Sequence, residues 1–533
     1  MKDKRPGTFC LFSITIIFDN VMEILLRFLF EYNIMRIKFP QLSIMSTYGR
    51  NDVLMIGRKE EKNTLLSLLN EEEPQFIAVF GRRRIGKTYL VRESFGHHFT
   101  FQHTGISNIQ IEPGARKQAQ LDKFAESLRE AGLAKVEKLM SWNDAFNALK
   151  EVIRQSDERK KVIFIDELSW MDTKDSGLIP ALESFWNGWA TARKEKDIIL
   201  IVCASATYWM IQNIVNAKGG LHNRLTGQIY LKPFTLGECE EYLKSKKIVF
   251  NRHQILQCYM VMGGVPYYWS LLKKGKSLSQ NIDELFFKEG APLAHEYENL
   301  YSALFNKPGQ YMKIVEALST VNKGISRDEI SKKTGIASSG DLSRKLTELE
   351  SCGFIRKYIP FGYKQRNCLY QLIDNYTLFY YKFLKDKVYD ENFWMNQSNS
   401  PTVHAWSGVA FERVCLEHIP QIKATLGISG VYTEVNAWQC QAEKDLGIFG
   451  SQIDLLIVRK DQIINLCEMK YSETEYMVDA SFVRDQKRKI SDFLKKTGTK
   501  YAIHSTLITS YGMEDNSYSG EIQAVITAED LFA

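Results

Sequence analysis

The sequence predicts a multidomain α/β protein, and three stretches carry that expectation. The apolar run Phe76–Phe80 passes into a glycine-rich loop and then a helix-forming segment, the strand–loop–helix unit of a parallel sheet. Residues 311–372 show three helical periods followed by two strand-like runs around Pro360-Phe361-Gly362. Residues 404–510 give the order helix, strand, strand, strand, helix, strand. At 533 residues the chain has room for several cores, and its 44% hydrophobic and 25% charged content is ordinary for a globular protein. A formal charge of +6 is compatible with nucleic acid without requiring it. Nine cysteines with no CxxC pair and no Cys/His cluster fit reduced thiols in a cytoplasmic protein and give no zinc signal.

Residues 1–45 stand apart. Phe9–Phe18 is apolar, but no small-residue cleavage site follows it. Asp19, Glu23 and Arg27 interrupt it before it reaches the roughly twenty apolar residues of a membrane span. The segment reads as a poorly ordered extension, or as sequence upstream of a natural start at Met45 or Met55, and no membrane partner is expected.

The loop after Phe80 reads Gly81-Arg82-Arg83-Arg84-Ile85-Gly86-Lys87-Thr88. This is the P-loop pattern in its required strand–loop–helix setting. Its backbone N–H groups can wrap phosphates, Lys87 can reach the β- and γ-phosphates, and Thr88 can hold Mg²⁺. Val162–Ile165 is a buried-type strand ending in Asp166-Glu167, which places Asp166 in the Mg²⁺ shell and Glu167 where it can polarise an attacking water. Ile198–Ala204 is a third such strand, with Ser205 and Thr207 at its end where a γ-phosphate sensor sits. Arg224, just ahead of a further strand, reads either as a γ-phosphate contact or as a surface arginine. ATP and Mg²⁺ are the expected cofactors.

With these pieces in place, residues from about Ile56 to Trp269 resemble the archaeal-type prokaryotic ATPases of the AAA+/STAND lineage. The matching segments are IGRKEE (56–61), GRRRIGKT, FIDELSW, VCASAT, RLTGQIYLKPF and MGGVPYYW (262–269). The resemblance implies an αβα sheet, a helical lid, ATP rather than GTP, and a lid motif that brings Pro266 over the nucleotide base. Ala204 stands where relatives tend to carry Gly before the sensor Ser.

From about Tyr311 the pattern becomes a winged helix-turn-helix. Ser326 and Glu329 have capping-box spacing, Gly335 ends that helix, and Leu342, Leu346 and Leu349 share a face of the next. The third helix carries Arg344 and Lys345 against Asp341, Glu348 and Glu350. The module therefore reads either as an interdomain packing piece or as a DNA contact through Lys364 and Arg366 on its wing.

After the linker-like Asn396–Pro401, the strand order resembles the PD-(D/E)xK nuclease fold. Glu412 lies on the first helix, Asp454 on the second strand, and Glu468-Met469-Lys470 closes the third. Residues two apart on a strand share a face, so Glu468 and Lys470 point together. Carboxylates from neighbouring strands can hold a divalent metal, and Lys470 can orient or deprotonate a water. The set closes only if the hairpin loop is centred on Asp461, which puts Asp454 opposite Glu468; a slip of one residue turns Asp454 to the other face. The C-terminal region, including LITSYGMEDNSYSGEI, also resembles the uncharacterised domain that commonly follows this ATPase type. The alternative is a nuclease fold kept for docking a partner.

The expected organisation is an extension over 1–45, a P-loop αβα ATPase core over 46–232, a helical lid over 233–295, a winged helix-turn-helix over 296–395 and a restriction-endonuclease-like α/β domain over 402–533. The expected activity is ATP hydrolysis coupled to a metal-dependent nuclease-like site, with DNA and further copies of the chain as candidate partners.

Overall fold

The computed structural model describes residues 55–386 and 390–533, so the expectation for 1–45 falls outside the described residues. The first sheet is built from β1 (Gln75–Phe80), β2 (Phe101–Thr104), β3 (Lys161–Asp166), β4 (Ile198–Ala204) and β5 (Gly227–Tyr230) in the order β2-β3-β4-β1-β5. Every pairing is parallel. β1, β3 and β4 are buried along their whole length, because helices cover both faces of the sheet and neither meets water. That is why these strands are unbroken apolar runs. Helix α1 (Lys87–Ser94) follows the P-loop.

The chain then runs through α2 (Leu236–Ser245) and α3 (Arg252–Met262) into a short helix, Pro266–Ser270. The segment expected to be a winged helix-turn-helix, called the winged module below, comprises α4 (Pro308–Ser319), β6 (Ile325–Ser326), α5 (Arg327–Thr334), α6 (Gly340–Ser351), β7 (Ile355–Tyr358) and β8 (Leu369–Leu372). The capping box legible at Ser326 and Glu329 is formed, and Gly335 closes α5 at φ 71°. β7 and β8 pair antiparallel and β6 pairs with β8.

Residues 396–401 do not form the free linker their composition suggests. Trp394 is buried within the helix Phe393–Gln397, its N–H donates to Asp283 at 2.7 Å, and Ser400 caps α7 (Pro401–Glu417). The polar residues are there as a helix end and a cap.

The last sheet has the order β13-β12-β11-β10-β9, from β9 (Thr433–Cys440), β10 (Ser451–Arg459), β11 (Ile463–Lys470), β12 (Ala502–Thr509) and β13 (Ala524–Thr527). Helix α8 (Ala480–Thr497) makes the crossover between the parallel pair β11 and β12.

The apolar packing does not divide along the expected boundaries. The ATPase sheet has its own clusters, one on each face. A single further cluster runs from Leu236, Tyr259 and Trp269 in the lid through Leu346 and Phe354 in the winged module to Phe411, Leu455 and Met469 in the C-terminal domain. Polar contacts follow the same seam: the Leu236 N–H donates to His418 Nε2 at 3.0 Å, and Arg252 pairs with Glu529 at 2.7 Å. Phe411→Ala in this shared core should cost about 3–5 kcal/mol. The same substitution should speed amide exchange in α3 as well as α7, and unchanged protection in α3 would show the lid to be a separate cooperative unit.

Candidate functional site

The P-loop glycines are required by backbone geometry. Gly86 sits at φ 88° as the residue before α1, and a Cβ on Gly81 would lie 2.3 Å from the Leu231 carbonyl. The side chains expected to act on the nucleotide form one connected network. Lys87 Nζ donates to the Gly81 and Arg82 carbonyls at 2.9 Å and to Ser205 Oγ at 3.1 Å. Ser205 Oγ donates to Glu167 Oε1 at 2.8 Å. Thr88 Oγ1 donates to Asp166 Oδ2 at 2.6 Å, and the Glu167 N–H donates to Asp166 Oδ1 at 2.8 Å. Glu167 is held at φ 50°, an uncommon backbone region for a non-glycine residue. The β4 end thus delivers Ser205 to Glu167, and Ala204 before it does not prevent this.

Thr88 and Asp166 present adjacent hard oxygens, a donor set that fits Mg²⁺. The metal would offset phosphate charge there. Lys87 can move from the loop carbonyls to a phosphate, and Glu167 stands next to Ser205 where a water can be oriented.

The P-loop arginines turn away from this network. Arg82 Nη1 pairs with Asp374 at 2.6 Å, with both side chains 5% exposed, and its guanidinium lies 4.8 Å from the Phe354 ring centroid. Burial works against the Arg82 charge, but Asp374 outweighs it and the pKa is raised. Arg83 stacks on Trp170, while Arg84 pairs with Glu296 and stacks on Tyr267. The Tyr267 N–H also donates to the Arg84 carbonyl at 3.4 Å, which brings the adjacent Pro266 beside the P-loop. Arg58 of the IGRKEE segment is buried and donates to the Lys232 carbonyl at 2.6 Å. Composition gave no signal for Asp374 or Glu296 as P-loop partners.

Arg224 is not brought to the network. The register Ile77↔Gly227 and the Thr226 N–H donating to the Phe76 carbonyl put it beyond the N-terminal end of β1, whereas the P-loop leaves the C-terminal end. It is exposed there, away from Lys87 and Glu167 of the same chain, so within this chain the surface reading of Arg224 holds. A cavity of about 600 Å³ between Arg58, Phe234, Tyr259, Glu417 and Gln421 is lined by neither Lys87 nor Thr88 and is not the phosphate site.

In the winged module, Arg344 is neutralised by Asp341 and Glu348, and Lys345 is buried against Asp341. The third helix offers no unpaired cation to a phosphate backbone, which favours the packing role. Lys364 and Arg366 are exposed on the wing.

In the last sheet, Leu455↔Cys467 and Leu456↔Leu466 centre the hairpin on Asp461, so Asp454 faces Glu468. This is the register the sequence required. β10 also carries a bulge not foreseen: its register against β9 slips between Ile453↔Trp438 and Leu456↔Asn436, setting Asp454 and Leu455 against Ala437 alone. Bulges of this kind re-aim a side chain. Glu468 accepts from Lys470 at 2.9 Å and from Lys489 of α8 at 2.7 Å. Burial works to raise the Glu468 pKa, and the two lysines outweigh it and hold the carboxyl below its ordinary range. Lys489 was missed by sequence reasoning, whose only signal was the basic face of α8. Asp454 accepts from Gln452 at 2.6 Å, and Glu412 from Arg413 at 3.3 Å. Burial first, then the neighbouring Asp454, pushes the Glu412 carboxyl up to about 7. The oxygens suit a divalent ion, yet among the described residues no group of three or more His, Cys, Asp or Glu is gathered to hold one. As folded here, the acids are committed to protein partners, and no catalytic step through a metal follows from this arrangement.

Residues 55–272 match the family model of an ATPase domain predominantly from Archaea. An uncharacterized protein of Methanocaldococcus jannaschii is 22% identical over 441 residues, 82% of this chain and 92% of that protein. Among solved structures, a Walker-type ATPase of Pyrococcus abyssi is 14% identical with a TM-score of 0.45, covering 62% of this chain and 96% of that one. The Aeropyrum pernix ORC2 protein in its ADPNP–ADP complexes is 13% identical with a TM-score of 0.35, covering 68% and 95%. Both scores are low, so the assignment rests on the family match and the geometry above. Residues 55–272 form a P-loop ATPase domain of the archaeal type, and the protein is an ATPase. No helix among the described residues is long and apolar enough to cross a membrane.

Lys87→Ala should abolish ATP binding in a calorimetric titration, and unchanged affinity would overturn the phosphate assignment. Glu167→Gln should keep binding and lower hydrolysis by about 10²–10⁴-fold. For Glu412, the folded protein holds a proton that the unfolded chain releases near the ordinary carboxylate pKa. Its stabilising contribution is therefore complete at low pH and is lost as pH rises to about 7. Urea midpoints from pH 5 to 8 should fall less steeply in Glu412→Gln.

Proposed function

We propose that this protein is a nucleotide-driven switch of the AAA+/STAND type, in which Mg²⁺–ATP at Lys87, Thr88 and Asp166 controls a metal-dependent, nuclease-like C-terminal domain acting on DNA. The observation that carries the nuclease half is the hairpin register, which sets Asp454 opposite Glu468 while Lys470 shares the Glu468 face. A one-residue slip would have scattered these groups. In this reading Glu412, Asp454 and Glu468 would hold the ion only once Glu468 is released from Lys489, with Lys470 beside them. Arg224, exposed at the far end of β1, serves the nucleotide of a second copy, which makes a homo-oligomer the working assembly.

A second reading is favoured by one observation. Glu468 is doubly occupied by Lys470 and Lys489, a stable arrangement for a domain that only docks a partner. Cleavage of single- and double-stranded DNA and of RNA, with Mg²⁺ or Mn²⁺ and ATP, separates the two. Wild type should cut DNA and Lys470→Ala should cut it about 10²–10⁴-fold more slowly. If neither protein cuts any substrate, the docking reading replaces the nuclease one.

A further inference from the structure

One element touches both candidate sites. The β7–β8 hairpin has its base at Phe354 and Asp374, where the Ile373 and Asp374 N–H groups donate to the Phe354 carbonyl at 3.0 and 3.2 Å. That base grips the P-loop: Asp374 pairs with Arg82, and the Arg82 guanidinium lies over Phe354. The other end lies on the acid site. The Phe361 N–H donates to the Ala437 carbonyl of β9 at 2.9 Å, and the Phe361 ring packs on Phe493 of α8 at 5.3 Å. Ala437 is the residue facing the Asp454 bulge. Tyr358 and Pro360 line a narrow space together with Gln452 and Asp454.

Between its ends the hairpin is stiff. β7 and β8 are in register from Ile355↔Leu372 to Tyr358↔Leu369, a span of roughly 13 Å. Arg356 on β7 donates to Gln371 on β8 at 2.7 Å, and Arg413, next to Glu412 on α7, donates to the Leu372 carbonyl at 3.0 Å. Displacing the base displaces the tip.

We infer that the β7–β8 hairpin is a strap over the Glu412–Asp454–Glu468–Lys470 site, and that its seating is set by whether the P-loop holds nucleotide. This rests on the nuclease-like reading of that site and assigns its regulation. The chemistry of the latch supplies the coupling. Arg82 keeps Nε and Nη2 buried without a partner, and its carbonyl is held by Lys87 Nζ. A triphosphate draws Lys87 off that carbonyl, and the Arg82 backbone loses the contact that holds its guanidinium on Asp374. This weakens the one polar clamp between the P-loop and the hairpin base, so the nucleotide-filled state favours the lifted strap.

Amide exchange of the full chain tests this without requiring cleavage. With a non-hydrolysable ATP analogue and Mg²⁺, exchange at Phe361 and along β9 should speed by about tenfold or more. Asp374→Asn should exchange fast with or without nucleotide and bind the analogue more tightly than wild type. Identical wild-type exchange in both states overturns the inference. Phe361→Ala, which loosens the tip and leaves the base intact, supplies the second arm in a Mn²⁺-supported DNA cleavage assay. If exchange responds to nucleotide but neither wild type nor Phe361→Ala cuts DNA, the strap stands and the nuclease reading fails. If wild type cuts equally with and without nucleotide, Phe361→Ala matches it and exchange is unresponsive, the strap fails and the nuclease reading stands.

Discussion

The buried pair between Arg82 and Asp374 is the contact on which the placement of everything after the ATPase sheet depends. Both side chains are almost fully enclosed, and Asp374 uses its second oxygen to cap the helix Asn375–Phe379. Breaking such a pair from one side leaves an uncompensated buried charge, a cost of about 3–5 kcal/mol. Replacing both partners with apolar groups of similar volume would often cost nothing. The pair therefore makes poor sense as a source of stability alone. It makes better sense as a fixed register between a loop that meets phosphate and a hairpin that does not.

The shared core gives that register its reach. Lid, winged module and one face of the last sheet pack as a single cluster, while the nucleotide-binding sheet keeps its own. A close-packed cluster passes a displacement on as a body. The lid meets the P-loop through Tyr267 and Arg84, and the hairpin base meets it through Asp374, while Tyr230 of β5 donates its hydroxyl to the Ser351 carbonyl at 3.2 Å. A change at the P-loop is thus felt at two points of the same body. This also explains the winged module's charge pattern: Arg344 and Lys345 are spent on their own helix because that helix sits in an interdomain seam.

What the sequence disclosed follows from how local each signal was. The Walker segments were legible because glycine, lysine and the acidic strand end act within a few residues of one strand. The Asp454–Glu468 pairing was legible because a hairpin's register follows from its loop centre. The bulge at Asp454 was not, since it depends on β9, thirteen and more residues upstream in the chain. The choice between the two readings of Arg224 was not legible, because strand order and direction decide which end of the sheet it meets, and neither is written in its neighbours. Asn396–Pro401 looked like a linker because caps and loops share the same polar residues; only the burial of Trp394 distinguishes them.

The state of Glu468 follows from the same logic. A carboxylate held by two ammonium groups is ionised and ready to bind, yet it is not free to bind a metal until one lysine leaves. Lys470 is fixed on the strand two residues away and can stay near an ion's outer sphere. Lys489 sits on α8, whose Phe493 also receives the Phe361 ring of the hairpin tip. Lifting the hairpin removes a packing partner from the helix that carries Lys489, four residues before that contact and so one helical turn away. Uncovering Asp454 and loosening Lys489 from Glu468 are then two consequences of one movement. On the proposed reading, geometry alone would keep the site silent until nucleotide arrives.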